Sequence, residues 1–198
     1  MIDAPIRRYI DPPLNRLAYV LPTTVRANHV TVAAFMIGVM ALPLLALGEY
    51  NWAILVIALN RLGDGLDGAL ARRDGPTDLG GYLDIVLDFI FYSAVVFGMC
   101  LAQPENAVFG ALVIFSFIGT GSAFLAFSIF AEKRQLRTEA RGIKSIYYLG
   151  GLTEGFETIV FLLLLCLLPG AFAVLCTIFA TLCWITAASR IYTASQLL

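Results

Sequence analysis

Apolar runs of membrane-crossing length, roughly 18–25 residues, recur from Val30 to the C-terminus, separated by short polar connections. The pattern predicts six helical spans, over 30–48, 51–73, 79–102, 106–131, 145–168 and 171–194. Ahead of them, Ile10, Leu14, Leu17 and Leu21 form a helical stripe with Arg7, Arg8 and Arg16 nearby, as in an amphipathic helix lying in the membrane interface. A plain lead-in to the first span fits the same residues. Asp11 is placed to cap this helix, with Pro12 and Pro13 in its first turn, where missing N–H groups are tolerated. The reading is all-α, with an N-terminal cytoplasmic or interfacial segment at 1–27 and a six-helix membrane domain at 28–198.

The second span is apolar from Trp52 and turns polar between Asn60 and Arg73. The third begins polar, with Gly80, Gly81, Asp84 and Asp88, after the tight loop Arg73-Asp74-Gly75-Pro76-Thr77. Antiparallel packing through that loop is expected to bring the two polar ends together. The fourth span carries Gly119-Thr120-Gly121-Ser122, a small-residue patch suited to close helix packing or to lining a cavity.

Composition agrees with the segmentation: 60% of the 198 residues are hydrophobic and 14% charged, against about 25% charged in ordinary soluble domains. Net charge is −1 and uninformative; its distribution is not. The connections at 48–51, 102–106 and 168–171 hold no Lys or Arg. Arg26, Arg72, Arg73, Lys133, Arg134, Arg137, Arg141, Lys144 and Arg190 lie toward the opposite side with the N-terminal arginines. The positive-inside rule then puts both termini and the acidic motif on the cytoplasmic side. The first apolar run starts too late for a signal-peptide core and is read as an uncleaved first helix. Cys100, Cys166, Cys176 and Cys183 stand singly in apolar helix, as small buried hydrophobes do.

Asp64, Asp67, Asp84 and Asp88 are the exceptional feature. An aspartate at bilayer depth costs roughly 2.5–3.5 kcal/mol on insertion scales. Asp64 and Asp67 are i, i+3 neighbours, and Asp84 and Asp88 are i, i+4 neighbours, so each pair shares a helix face. Converging carboxylates repel unless cations bind between them. Oxygen donors with no cysteine nearby and a single histidine in the chain select Mg²⁺, Mn²⁺ or Ca²⁺ over zinc. Four carboxylates suit two ions clamping a phosphate group. Arg72 offers a fork of donors to a phosphate oxygen, and Arg61, one turn before the motif, is placed to neutralise an aspartate. From this chemistry alone, an ion- or proton-coupled transporter would use the same intramembrane acids.

The whole string is more specific. Asp64-x2-Asp67-Gly68-x2-Ala71-Arg72, followed by Gly80-x3-Asp84-x3-Asp88, resembles the signature of the class-I CDP-alcohol phosphatidyltransferase family. The loop between Arg72 and Gly80 is slightly shorter than is common in that family. The resemblance implies a six-helix membrane enzyme, usually a homodimer, working at the cytoplasmic interface. Such an enzyme transfers a phosphatidyl or related phospho-alcohol group from a CDP-linked lipid donor to an acceptor alcohol and releases CMP. It implies two divalent cations, Mg²⁺ or Mn²⁺, held by Asp64, Asp67, Asp84 and Asp88, with Asp88 also the general base. Gly68 and Arg72 would contact the donor diphosphate, Thr77 would lie near the donor, and Asn28 and Thr31 beside the nucleotide. No nucleic-acid partner is expected, and the membrane is of the cytoplasmic (inner) type.

Two further groups remain open. Lys133, Arg134, Arg137, Arg141 and Lys144 either enforce topology and attract anionic lipid or bind an anionic acceptor such as a phosphorylated polyol. Glu154 and Glu157 share a face of the fifth span; they line the acceptor pocket, bind a cationic alcohol, or pair with Arg61 or a basic loop residue. The acceptor alcohol itself is not encoded in the signature.

Overall fold

A computed structural model describes residues 3–135 and 151–198, and all regular structure among them is helical. The order is α1 (Asp3–Val20), α2 (Ala27–Val39), α3 (Ala41–Ala46), α4 (Tyr50–Asp74), α5 (Asp78–Ala102), α6 (Ala107–Lys133), α7 (Gly155–Leu167) and α8 (Phe172–Leu197). Short 3₁₀ turns, Pro104–Asn106 and Pro169–Ala171, lead into α6 and α8.

Among the described residues, four stretches are long and apolar enough to cross a membrane: Ala27–Ala46, Asp78–Ala102, Pro104–Lys133 and Pro169–Leu197. The expected six spans are met by the structure only in this coarser form. Helix α4 is a 25-residue helix, but its acidic and basic C-terminal half sets it apart. Of the expected span at 145–168, 155–167 is a shorter apolar helix, and 145–150 lies outside the described residues. Helices α2 and α3 make one span with a break at Met40. Pro43 explains the break, because it has no N–H for the Val39 carbonyl and its ring crowds that oxygen.

The main core is a single apolar cluster drawn from α3 to α8, with Leu45, Ile57, Phe91, Val95, Met99, Val113, Leu162, Leu165 and Phe172 sealed from solvent. Phe161 of α7 stacks on Phe179 of α8 with ring centroids 4.0 Å apart. A smaller cluster docks α1 on α4: Ala18, Ala69 and Leu70 are buried, with Leu14, Leu21 and Leu66 around them. The opposite side of α1, with Ile10, Leu17, Tyr19 and Val20, is exposed.

Helix α1 corrects one expectation. It begins at Asp3, so Asp11 is not its cap and Pro12 and Pro13 sit inside it. Capping signals are local, whereas docking on α4 rewards a longer helix and offsets the two lost backbone hydrogen bonds.

The α2–α3 span is the platform for the site. It packs against both α4 and α5, whereas the backbones of α4 and α5 make few close approaches to each other. A Cβ on Gly38 would lie 2.7 Å from the Asn60 side chain, so α2 and α4 close tightly only because that position is glycine. The two polar ends therefore do not pack directly, as the short loop suggested. They face one another across a gap floored by α2.

Candidate metal centre

The α4–α5 turn sets the direction of both acid-bearing helices. Gly75 ends α4 at φ +98°, a conformation other residues rarely adopt. Thr77 then caps α5, its hydroxyl accepting from the Gly80 N–H at 3.0 Å. A Cβ on Gly80 would meet both Thr77 Oγ1 and Asn28 Oδ1 at 3.0 Å, so the start of α2 lies directly over the start of α5.

Within the gap, one carboxylate oxygen each of Asp64, Asp84 and Asp88 lies within 4.8 Å of the others. Asp64 and Asp88 are half-buried and Asp84 is exposed. Asp67 sits deeper, 8% exposed, and its Oδ2 is buried with no hydrogen-bond partner. Thr31 lies beside it. A small polar cavity is lined by Thr31, Ala34 and Phe35 of α2, Asn60, Arg61, Asp64 and Asp67 of α4, and Asp84, Leu87 and Asp88 of α5.

These acids fit a divalent ion. The donors are all hard oxygens, three converge from facing helices, and a buried carboxylate oxygen without a donor is costly unless a cation completes it. Among the described residues this is the acidic cluster with ligand-like convergence.

Among the described residues, Arg61 is the cation that lines this cavity. Its Nη2 donates to Asp88 Oδ1 at 2.7 Å, and its Nη1 lies 3.6 Å from Asp64 Oδ2. The guanidinium also donates through Nε to Asn60 Oδ1 at 2.8 Å, while Asn60 Nδ2 donates to the Ala34 carbonyl at 2.9 Å. Its plane lies over the Phe91 ring, 4.9 Å from the centroid. Tyr92, one turn after Asp88, donates its O–H to Asp88 Oδ2 at 2.7 Å. Sequence reasoning singled out Arg61 only as a neutraliser and passed over Asn60 and Tyr92. The signal for Tyr92 was present: Asp84, Asp88 and Tyr92 continue the same i, i+4 row.

The expected donor-binding residues divide. Asn28, Thr31 and Thr77 lie at the rim or floor of the gap. Gly68 is half-buried, and a Cβ there would meet Arg72 Nη1 at 3.5 Å. Arg72 turns toward α1, donating through Nη2 to Asn15 Oδ1 at 3.0 Å, with Asp11 Oδ1 at 3.6 Å. Its neighbour Arg73 donates to the carbonyls of Ala18, Leu21 and Val25. Arg73 also forks Asp74 at the exposed end of α4, holding that carboxyl below the usual carboxylate range.

Among the described residues, the expected acceptor residues Lys133, Arg134 and Glu154 do not line this cavity. Lys133 ends α6, and Arg134 donates to the Leu197 carbonyl at 3.2 Å. Arg137, Arg141 and Lys144 fall outside the described residues. Glu154 is buried at the start of α7, where its carboxylate accepts from the Gly151 N–H at 3.1 Å and closes a reciprocal capping box with Glu157. Of the alternatives left open for this pair, capping was not among them. Arg190, counted from sequence as a cytoplasmic charge, is 8% exposed and donates to the Thr120 carbonyl at 3.1 Å.

Comparison with known proteins gives a consistent picture. The family model described as CDP-alcohol phosphatidyltransferase matches residues 24–192. The inner membrane protein YnjF of Escherichia coli is 52% identical over 194 residues, covering 97% of this chain and 94% of that protein. The archaetidylinositol phosphate synthase of Methanothermobacter thermautotrophicus is 30% identical over 159 residues, covering 80% of this chain and 71% of that protein. Among solved structures, the phosphatidylinositol phosphate synthase of Mycobacterium tuberculosis with CDP-DAG bound superimposes with a TM-score of 0.71 at 24% identity, covering 94% of each chain. A second structure of that enzyme, in complex with manganese and citrate, gives 0.69 at 24% identity, covering 93% of this chain and 88% of that one. At that identity these likenesses speak for the fold.

Proposed function

The chain belongs to the CDP-alcohol phosphatidyltransferase family, and from that premise we propose how its own residues carry the transfer. The activity is movement of a phosphatidyl or related phospho-alcohol group from a CDP-alcohol donor to an acceptor alcohol, with release of CMP. The observation that carries the reading is the convergence of Asp64, Asp84 and Asp88 across the α4–α5 gap, with the undonated Asp67 Oδ2 beneath.

Asp64, Asp67, Asp84 and Asp88 hold two divalent ions, Mg²⁺ or Mn²⁺. When bound, these ions supply charge neutralisation for a diphosphate and stabilise charge on its leaving oxygen. The donor is a CDP-linked lipid such as CDP-diacylglycerol. Asn28, Thr31 and Thr77 form the nucleotide side of the gap, Gly68 leaves room for the diphosphate, and Arg72 turns from Asn15 to reach it. Asp88 takes the acceptor hydroxyl proton as that oxygen bonds to the β-phosphorus. The bond from that phosphorus to the bridging oxygen breaks, and CMP leaves with the electron pair. Proximity on one fixed platform supplies much of the acceleration.

The acceptor is an alcohol that carries a phosphate. Support comes from the archaetidylinositol phosphate synthase and phosphatidylinositol phosphate synthase among the relatives and from Lys133, Arg134, Arg137 and Arg141, close together in the sequence after α6. The protein is integral to a membrane; we place it in the inner membrane as six spans, with α4 and α7 included. Helix α1 lies at the interface with its exposed apolar side in lipid, and both termini and the acids face the cytoplasm. A homodimer is the working unit.

Purified protein in lipid nanodiscs, given CDP-diacylglycerol and a panel of free and phosphorylated alcohols, tests the reading. Divalent-dependent CMP release with a phosphorylated acceptor, and its lipid product by mass spectrometry, is expected. Release only with unphosphorylated alcohols would overturn the acceptor assignment, and metal-independent release would overturn the metal centre.

A further inference from the structure

Among the described residues Arg61 is the cation that lines the acidic gap, and the transfer chemistry above makes no use of it. Its placement is fixed from four directions. Asn60 Oδ1 accepts from Nε at 2.8 Å, the Phe91 ring lies under the guanidinium at 4.9 Å, Asp88 accepts from Nη2 at 2.7 Å, and Asp64 lies at 3.6 Å. Asn60 is itself pinned to the Ala34 carbonyl of α2 at 2.9 Å. The guanidinium therefore ties α2, α4 and α5 together at the point where the acids converge.

Its relation to Asp88 is selective. Arg61 Nη2 takes Asp88 Oδ1 while Tyr92 takes Oδ2, each at 2.7 Å, so the carboxylate plane cannot rotate without breaking one of two short charge-assisted bonds. An ionised carboxylate offers about four lone-pair sites. Three are used here, because Arg61 Nη1 also donates to Oδ2 at 3.5 Å, which leaves a free lone pair on Oδ1. Asp88 is thus held in one orientation without being blocked.

The charge has a second consequence. Asp64 and Asp88 would repel across the gap in the absence of metal, and Arg61 lies against both. A guanidinium stays protonated at any working pH, so its charge is present whether or not an ion is bound. It must therefore oppose a divalent cation placed beside the same two carboxylates.

We propose that Arg61 is a positioning residue and permanent counter-cation of the metal centre: it fixes the Asp88 carboxylate for proton transfer and weakens the ion's hold at the Asp64–Asp88 edge. The inference rests on the proposed reading of these acids as metal ligands. It separates two quantities that ordinary structural damage would lower together. Without Arg61 the acids bind metal more tightly, because a competing charge is gone, and the enzyme turns over more slowly, because Asp88 is no longer oriented.

The test is Arg61→Gln in nanodiscs, read by a Mn²⁺ binding isotherm, by melting with and without Mn²⁺, and by CMP release at saturating Mn²⁺. Mn²⁺ affinity is expected to rise on the order of tenfold, metal-free melting to fall, and added Mn²⁺ to restore it. At the same time kcat falls while the donor KM holds. Arg61→Lys keeps the charge without the fork, so its Mn²⁺ affinity stays near wild type while kcat still falls. If Arg61→Gln cannot be purified even with Mn²⁺, the Lys variant decides, and wild-type kcat there overturns the orienting role. Affinity and turnover falling together in Arg61→Gln, or neither moving, would overturn the proposal. Wild-type protein that binds no Mn²⁺ would instead overturn the reading of the acids themselves.

Discussion

Tyr92 and Asp88 stand one turn apart on α5, and the tyrosine O–H reaches Asp88 Oδ2 at 2.7 Å. The pair lies in an aromatic setting: the Tyr92 ring meets Phe91 at 5.7 Å and Phe117 at 6.3 Å between centroids. Replacing Tyr92 by Phe keeps the ring and removes the bond to Asp88 together with a longer one accepted from Arg61 Nη1 at 3.4 Å. A bond to a charged group contributes about 1.5–3 kcal/mol. If it holds Asp88 in its reactive orientation, kcat for Tyr92→Phe falls by about tenfold or more. Donor KM should hold within about twofold, while the lost bond should lower melting by several degrees. Steady-state CMP release gives both constants, and an unchanged kcat would remove Tyr92 from the orienting role.

Asp67 presents the opposite situation. Its Oδ2 is buried and receives no donor, an arrangement that costs about 1–3 kcal/mol without metal. Asn in its place is nearly isosteric and uncharged. Metal-free Asp67→Asn is therefore expected to melt no lower than wild type, and to lose most of the stabilisation that Mn²⁺ gives. Melting curves across a Mn²⁺ titration check this. A variant that melts lower without metal and keeps its full response to Mn²⁺ would place Asp67 outside the ligand set.

Much of this arrangement was legible in the chain. Hydropathy located α4 to α6 and α8 to within a few residues, because a membrane helix must satisfy its backbone internally and its length follows from bilayer thickness. The i, i+3 and i, i+4 spacings of the four aspartates put each pair on one face without reference to any neighbour. Contacts between helices were not legible. Nothing local says that α2 enters between the polar ends of α4 and α5, or that Arg72 and Arg73 diverge. Consecutive residues on a helix point about 100° apart, and here one meets Asn15 while the other meets three carbonyls. Likewise Pro12 looked like a first-turn residue because the docking surface on α4 that lengthens α1 is remote in sequence.

Gly98 marks where α5 meets α3 most closely. A Cβ there would lie 2.8 Å from the Leu42 carbonyl oxygen and 3.0 Å from its Cα. Backbone atoms cannot swing aside as a side-chain tip can. Gly98→Ala is therefore expected to cost about 1–3 kcal/mol of stability. Along a helix the acids are about 15 Å away, so kcat at a temperature where the variant is folded should match wild type. Thermal aggregation in detergent reads the first effect and CMP release the second. Loss of turnover without loss of stability would mean that α5 transmits the strain to Asp88.

Arg73 offers the clearest test of how the N-terminal helix is attached. Its guanidinium donates to Ala18 at the C-terminal end of α1 and to Leu21 and Val25 in the connection to α2. The last carbonyls of a helix have no intrahelical donor, so Arg73 completes α1 from another element. Arg72 faces the same helix through Asn15 and Asp11. Removing Arg73 should loosen both attachments. Arg73→Ala is expected to be cut by protease within 21–26 severalfold faster than wild type. Arg73→Lys keeps a charge but has a single point donor group that cannot span three carbonyls, so it should fall between the two. Limited proteolysis with mass mapping reads the attachment directly. Cleavage at the wild-type rate in Arg73→Ala would mean that the apolar contact of Leu14 and Ala18 with Leu66, Ala69 and Leu70 holds α1 unaided.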